Sequence, residues 1–303
     1  MTAAPLCLGL HITKCAGTSL ITTLRRMLTE DEYYFFSSYV EGWLASRPTF
    51  ADIADIARLR MVFGHYCHET LLSVFRDRPI FLFTGLREPI ACAVSGYRQV
   101  GVVCAAAGRS PPAPADYLAE RANPICAEIL RAFPSVANRP GPLWERARAA
   151  LSLFDFIYTT ENFDADAATI FAVLDVPPTS LARDNVFEER ELPRDVEREI
   201  LAGGEAVRAG AAQFLRDDLL LCEAVRPQVG RAWVREELDA GWAIDRSAFT
   251  ASLPPPTLAR ETFCARERDF MLHEFEELGR VPGLRASLQA RVRTAEATLL
   301  RIG

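Results

Sequence analysis

The chain has 303 residues, half of them apolar, and carries a formal charge of −6 from 34 basic and 40 acidic side chains. These figures exclude a disordered chain, a collagen-like repeat and a strongly basic nucleic-acid binder. The length leaves one large domain or two ordinary ones, with ample chain for a core. Of the 34 basic residues only one, Lys14, is a lysine. The arginine- and alanine-rich composition fits a GC-rich coding background, and the single exception marks a position where arginine is not an adequate substitute.

The apolar run Ala3–Leu10 is short, has no basic residue before it and leads straight into a polar motif, so it does not read as a signal peptide. No run of about 18 apolar residues predicts a membrane span. The eight cysteines are scattered without a CxxC pair, which reads as reduced, mostly buried thiols in a cytoplasmic protein rather than a disulfide framework or a zinc site.

In chain order, Leu6–Ile12 predicts a buried strand, 13–19 a loop and Leu20–Leu28 a helix. Ala51–Leu59 has helical spacing, Met61–Phe63 predicts a strand ending at Gly64 and His65, and Leu71–Phe75 a helical turn. Ile80–Leu86 is the strongest strand signal and reads as covered on both faces. Pro89 suits the first position of a helix that continues over Ile90–Val100. Gly101–Pro114 predicts a loop, 115–132 and 143–153 helices, Phe154–Tyr158 a strand and 164–174 a helix. Pro193–Val225 reads as a long helix weakened at Gly203, Gly204 and Gly210.

The alternation of strands and helices predicts an α/β domain over 1–225: a P-loop-like three-layer sandwich with a mainly parallel central sheet. Residues 226–303 predict a helical extension, with helices at 257–278 and 283–301 after a break at Pro254-Pro255-Pro256. This extension suits acceptor binding or oligomerisation, including a homodimer. Trp233 and Trp242 within it read as core or interface residues.

Two segments carry chemistry. In His11-Ile12-Thr13-Lys14-Cys15-Ala16-Gly17-Thr18-Ser19, small residues between a strand and a helix let the backbone approach an oxyanion at the positive end of the helix dipole. Lys14 adds a compact charge, and Thr18 and Ser19 add hydroxyl donors. The lysine precedes the glycine, so this is not the GxxxxGK[ST] loop of Mg-nucleoside triphosphate chemistry. The second segment, Leu86-Arg87-Glu88-Pro89, follows the strongest strand, with Ser95 two helical turns beyond. Arg87 stands at the strand's C-terminal end, where ligands bind in open α/β sheets, and its guanidinium suits bidentate phosphate contact.

Together the two segments resemble those of sulfotransferases that use 3′-phosphoadenosine 5′-phosphosulfate (PAPS), above all the carbohydrate branch that includes the heparan sulfate 2-O-sulfotransferases. In that family HIPKTAGTS holds the 5′ sulfophosphate end of the donor, and LRDP with a serine eight residues after its arginine holds the 3′-phosphate. Thr13, Cys15 and Glu88 depart from the family's Pro, Thr and Asp. Three weaker similarities follow in the family's order: Phe63-Gly64-His65, Phe154–Phe163 and Phe214–Cys222. The resemblance covers about residues 5–225. It implies PAPS as donor, PAP (adenosine 3′,5′-bisphosphate) as product, and a donor site of Lys14, Cys15, Ala16, Gly17, Thr18, Ser19, Arg87 and Ser95.

Sulfuryl transfer needs charge stabilisation on the leaving phosphate, the role expected of Lys14, and a base for the acceptor hydroxyl. Among four histidines, His65 ends a strand on the expected edge of the sheet and is the base that the resemblance also indicates. His68, Glu161 and His11 follow in second rank. No metal is expected, since no His/Cys/Asp cluster has ligand spacing. The net charge gives no support for a long polyanionic acceptor, so a small molecule, a short or lipid-linked sugar or a natural product is expected. The competing readings are an Mg-nucleotide-dependent small-molecule kinase and a nucleotide-binding module without turnover.

Overall fold

Leu6–Leu10 (β1) is buried at every position, which explains why it reads as a continuous apolar run and not as an alternation. Leu6, Leu8 and Leu10 face one buried cluster and Cys7 the other. The chain was analysed as a computed structural model, which describes residues 5–36, 50–53, 55–65, 67–106, 108–181, 192–225 and 243–278.

Four further strands, Tyr33–Phe36 (β2), Met61–Gly64 (β3), Ile80–Leu86 (β4) and Phe156–Thr159 (β5), join β1 in a sheet of order β2-β3-β1-β4-β5. Every strand pair is parallel. On one face lie the helices Gly17–Leu24 (α1) and Phe163–Val173, the latter contributing Ala167, Ile170 and Phe171 to the core. The other face is covered by residues of Thr70–Val74 (α2), Pro124–Ala132, Leu143–Leu151, Arg246–Ser252 and Pro256–Leu278. The sheet is therefore the middle of three layers. Phe249, Leu253, Phe263 and Cys264 belong to the same buried cluster as Leu6 and Leu82, so the described part of the C-terminal segment packs directly on the main core. Trp233, Trp242 and the predicted helix at 283–301 lie outside the described residues.

Helix α3 spans Pro89–Ala106. It runs six residues past the predicted start of a loop at Gly101. That glycine is a packing position: a Cβ there would lie 2.7 Å from Ile200. Helix Arg194–Phe214 likewise runs unbroken through Gly203, where a Cβ would meet the Tyr97 hydroxyl at 2.3 Å and its ring at 2.5 Å. The glycines that read as breakers instead let two long helices approach closely. Next to them, Pro114–Glu120 (α4) and Pro124–Ala132 (α5) replace the single helix predicted over 115–132. The break falls at Asn123, held left-handed at φ 48° ahead of Pro124; a residue before proline disfavours the helical region. The predicted helix at Ala51–Leu59 is two short 3-10 turns, Phe50–Asp52 and Ile56–Arg58, the second capped by the Asp55 carboxylate on the Ala57 amide.

Candidate functional site

The connection leaving β1 runs to β2 on one side of the sheet, whereas that leaving β4 runs to β5 on the other. A crevice therefore opens between the C-terminal ends of β1 and β4, the place where open parallel sheets bind ligands. The loop after β1 and the residues after β4 border it.

The first loop has an unusual backbone. Among the described residues four non-glycine positions have positive φ, and two of them are Lys14 (φ 66°) and Ala16 (φ 59°). Such conformations cost about 1–3 kcal/mol each and persist only where the surroundings enforce them. The surroundings do so here. Cys92 Sγ of α3 donates to the Thr13 carbonyl at 3.3 Å, and the buried Tyr158 hydroxyl of β5 donates to the Cys15 carbonyl at 2.9 Å. The Thr13 amide donates to the Glu128 carboxylate of α5 at 2.8 Å. The Thr13 and Cys15 amides are thus both engaged within the loop, the former by Glu128 and the latter by the Ile12 carbonyl at 3.2 Å. Helix α1 begins directly afterwards with Ala16 as its N-cap and no side-chain cap, so its first-turn amides face the crevice with the positive dipole end. Gly17 is dictated by close approach, since a Cβ would fall 2.1 Å from the His11 ring.

Lys14, Ala16, Thr18 and Ser19 are half-buried at this edge. Cys15 is different: its side chain is fully buried, its thiol donates to Thr13 O at 3.7 Å and its amide to Ile12 O. A hydrogen bond from the Cys15 thiol to Cys92, and then burial, hold that thiol well above its ordinary pKa. The Cys15 side chain thus braces the loop from below instead of lining the crevice.

Across the crevice, Arg87 Nη1 donates to the Lys14 carbonyl at 3.3 Å, joining the two anion segments directly. Ser95 lies half-buried on α3, one turn before Gln99, whose Oε1 accepts from Lys14 Nζ at 2.5 Å. The Glu88 carboxylate accepts from the Ile90 and Ala91 amides and so closes the N-terminus of α3 itself.

His65 follows β3, the neighbour of β1. Its ring stacks on His11 at 4.0 Å, and its Nδ1 donates to the His11 carbonyl at 2.8 Å. A carbonyl only accepts, so the proton is fixed on Nδ1 and the Nε2 lone pair is left for chemistry. Burial pulls the His65 pKa below 6.5, partly offset by the negative Glu128. His11 is buried between Phe63 and His65, and burial lowers its pKa well below 6.5; it supports the loop and the His65 ring from beneath.

His68 occupies another environment. Its Nδ1 accepts from the Thr70 amide at the start of α2 and lies 2.9 Å from Thr70 Oγ1, while burial depresses its pKa to about 3. Glu161 is exposed and accepts from the Glu88 amide at 3.2 Å. It follows β5, three strands from β3, so about 14 Å separates its strand end from that of His65 at 4.8 Å per strand. His65 and Glu161 therefore stand at opposite ends of the crevice.

Two participants carried no sequence signal, Gln99 and Glu128. Gln99 lies one turn beyond Ser95 on α3 and Glu128 on α5, and only the fold brings them to Lys14 and Thr13. Among the described residues no group of three or more His, Cys, Asp or Glu side chains is placed to hold a metal ion, and no helix is long and apolar enough to cross a membrane. All eight cysteines are free thiols. No protein-family model and no curated protein matches the chain, so the chemistry of the site rests on its own residues.

Proposed function

We propose that the protein is a PAPS-dependent sulfotransferase that moves a sulfuryl group to a hydroxyl of a small-molecule or carbohydrate acceptor. The observation that carries this reading is the junction of two anion-binding segments at one crevice: Arg87 touches the Lys14 carbonyl, and both flank the uncapped start of α1. A ligand with two separate phosphate groups fits such a pair better than a single polyphosphate chain does. The strand order, with the loop after the central strand, supports a P-loop-like ancestry without the GK[ST] signature.

In this reading the donor supplies the activated sulfuryl group. The loop around Lys14 and the first turn of α1, with Thr18 and Ser19, would hold its 5′ end, and Arg87 with Ser95 its 3′-phosphate. Lys14 holds negative charge on the leaving phosphate oxygen. His65 Nε2 accepts the acceptor's hydroxyl proton, and the His11 carbonyl steadies the imidazolium that forms through Nδ1–H.

Thermal unfolding with PAP, AMP, ADP and ATP tests the reading. A ligand at 100 times its Kd stabilises by about 2.7 kcal/mol, and PAP is expected to raise the Tm most. Stabilisation by ATP with Mg equal to that by PAP would favour the kinase reading instead.

A further inference from the structure

We propose that Glu128 is a positioning residue for His65: from α5 it holds the donor loop at Thr13 and sets a negative charge against the imidazolium that His65 becomes when it takes the acceptor's proton. The proposal rests on the sulfotransferase reading and specifies how the base of that site is poised.

Glu128 and His65 grip the same short stretch of chain. The Glu128 carboxylate accepts from the Thr13 amide at 2.8 Å. His65 Nδ1 donates to the carbonyl of His11, two residues earlier, also at 2.8 Å. The hold is firm because α5 is fixed at both ends. At its start the buried Asp218 carboxylate accepts from the Ile125 and Cys126 amides at 3.0 and 2.8 Å. At its end the Ala132 carbonyl accepts from the Glu69 amide, and the Glu69 carboxylate accepts from the Ser135 amide and hydroxyl. Ile125 and Ile129 bury the opposite face of the helix in the core, and Glu128 is left half-buried beside the loop.

The groups around His65 explain why a carboxylate stands there. His11 stacks on the ring from the end of β1. Lys14 in the loop and Arg131 on α5 both disfavour a positive charge on His65. Glu128 lies three residues before Arg131, on the same face of the helix, and favours that charge. Without it the imidazolium would form against two cations in a partly desolvated place, and His65 would be a poor base. A glutamine would satisfy the Thr13 amide equally well but would leave the cations unopposed. The carboxylate has a cost, because a negative charge near the loop disfavours a phosphate. Its benefit therefore falls on proton transfer and not on donor binding.

The test is Glu128→Gln, which keeps an oxygen for the Thr13 amide and removes the charge. The His65 ring is titrated by NMR in the ligand-free protein, its signal identified by its loss in His65→Ala. The midpoint is expected to fall below that of the wild type, since the group that favours the charged ring has gone. The acid limb of kcat/KM should move to lower pH with it, and kcat should drop roughly tenfold, less than when the base itself is removed. PAP should bind at least as tightly as to the wild type, because no attraction for an anion has been lost. Glu128→Asp, which draws the charge back by one methylene, should lower the midpoint by less. An unchanged or raised midpoint in Glu128→Gln, or a loss confined to PAP affinity, would reduce Glu128 to a brace for the loop and overturn the proposal. Should Glu128→Gln fail to fold, Glu128→Asp decides alone, and a midpoint at or above the wild-type value overturns it. The titration needs no substrate, so failure of the sulfotransferase reading shows separately, as wild-type protein without a preference for PAP over AMP.

Discussion

Lys14→Ala is expected to abolish sulfuryl transfer, with kcat/KM reduced by about 10³-fold or more, the scale of losing a preorganised group aimed at developing charge. Lys14→Arg is expected to keep much of the PAP affinity and lose most of the rate. The structure gives a steric reason beyond charge. The stem runs past Gly96 with its Cγ 3.8 Å from the vacant Cβ position, and its ammonium donates to Gln99 Oε1. A compact ammonium can rotate from that acceptor to a phosphate oxygen, whereas a planar guanidinium demands a wider, two-pronged partner. Steady-state kinetics with PAPS, paired with PAP titration, separate the two effects. Full activity in Lys14→Arg would refute the inference drawn from the one lysine among 34 basic residues.

His65→Ala is expected to lower kcat by about 10²-fold or more and leave PAP affinity nearly unchanged. The pH profile is the sharper readout. A general base works unprotonated, so kcat/KM falls as pH drops through the pKa of His65. Burial places that pKa below 6.5, so the acid limb should have its midpoint below 6.5, with activity flat from there to neutrality. His65→Ala should remove that limb. A midpoint above 6.5, or a loss confined to KM, would assign the role of base elsewhere. His68 is a poor substitute, because its Nδ1 is committed to the Thr70 amide and its pKa sits near 3.

Strands whose residues are buried on both faces were legible, because Leu6–Leu10, Met61–Gly64 and Ile80–Leu86 carry continuous apolar runs. The edge strand Tyr33–Phe36 was missed: four consecutive aromatic residues after an acidic stretch give no period. Helix boundaries failed where glycine served packing, as at Gly101 and Gly203, since a sequence shows that the Cβ is missing but not which side chain fills its place. Within the candidate site, local motifs after strands singled out Lys14, Arg87 and His65, and the fold places all three at the C-terminal ends of neighbouring strands. Cys15 was read as part of the donor loop through its backbone, and its side chain is buried in the core. Gln99 and Glu128 depend on contacts 85 and 115 residues apart in sequence, which only the packing of α3 and α5 against the loop creates.

The most direct measurement compares PAP with AMP, which differ only by the 3′-phosphate, by calorimetric titration of wild-type protein and Arg87→Ala. The wild type is expected to bind PAP at least tenfold more tightly than AMP, about 1.4 kcal/mol or more. In Arg87→Ala that preference should largely vanish while AMP affinity changes little. Equal binding of PAP and AMP by the wild type, or a preference that survives the loss of Arg87, would contradict a donor site divided between Lys14 and Arg87.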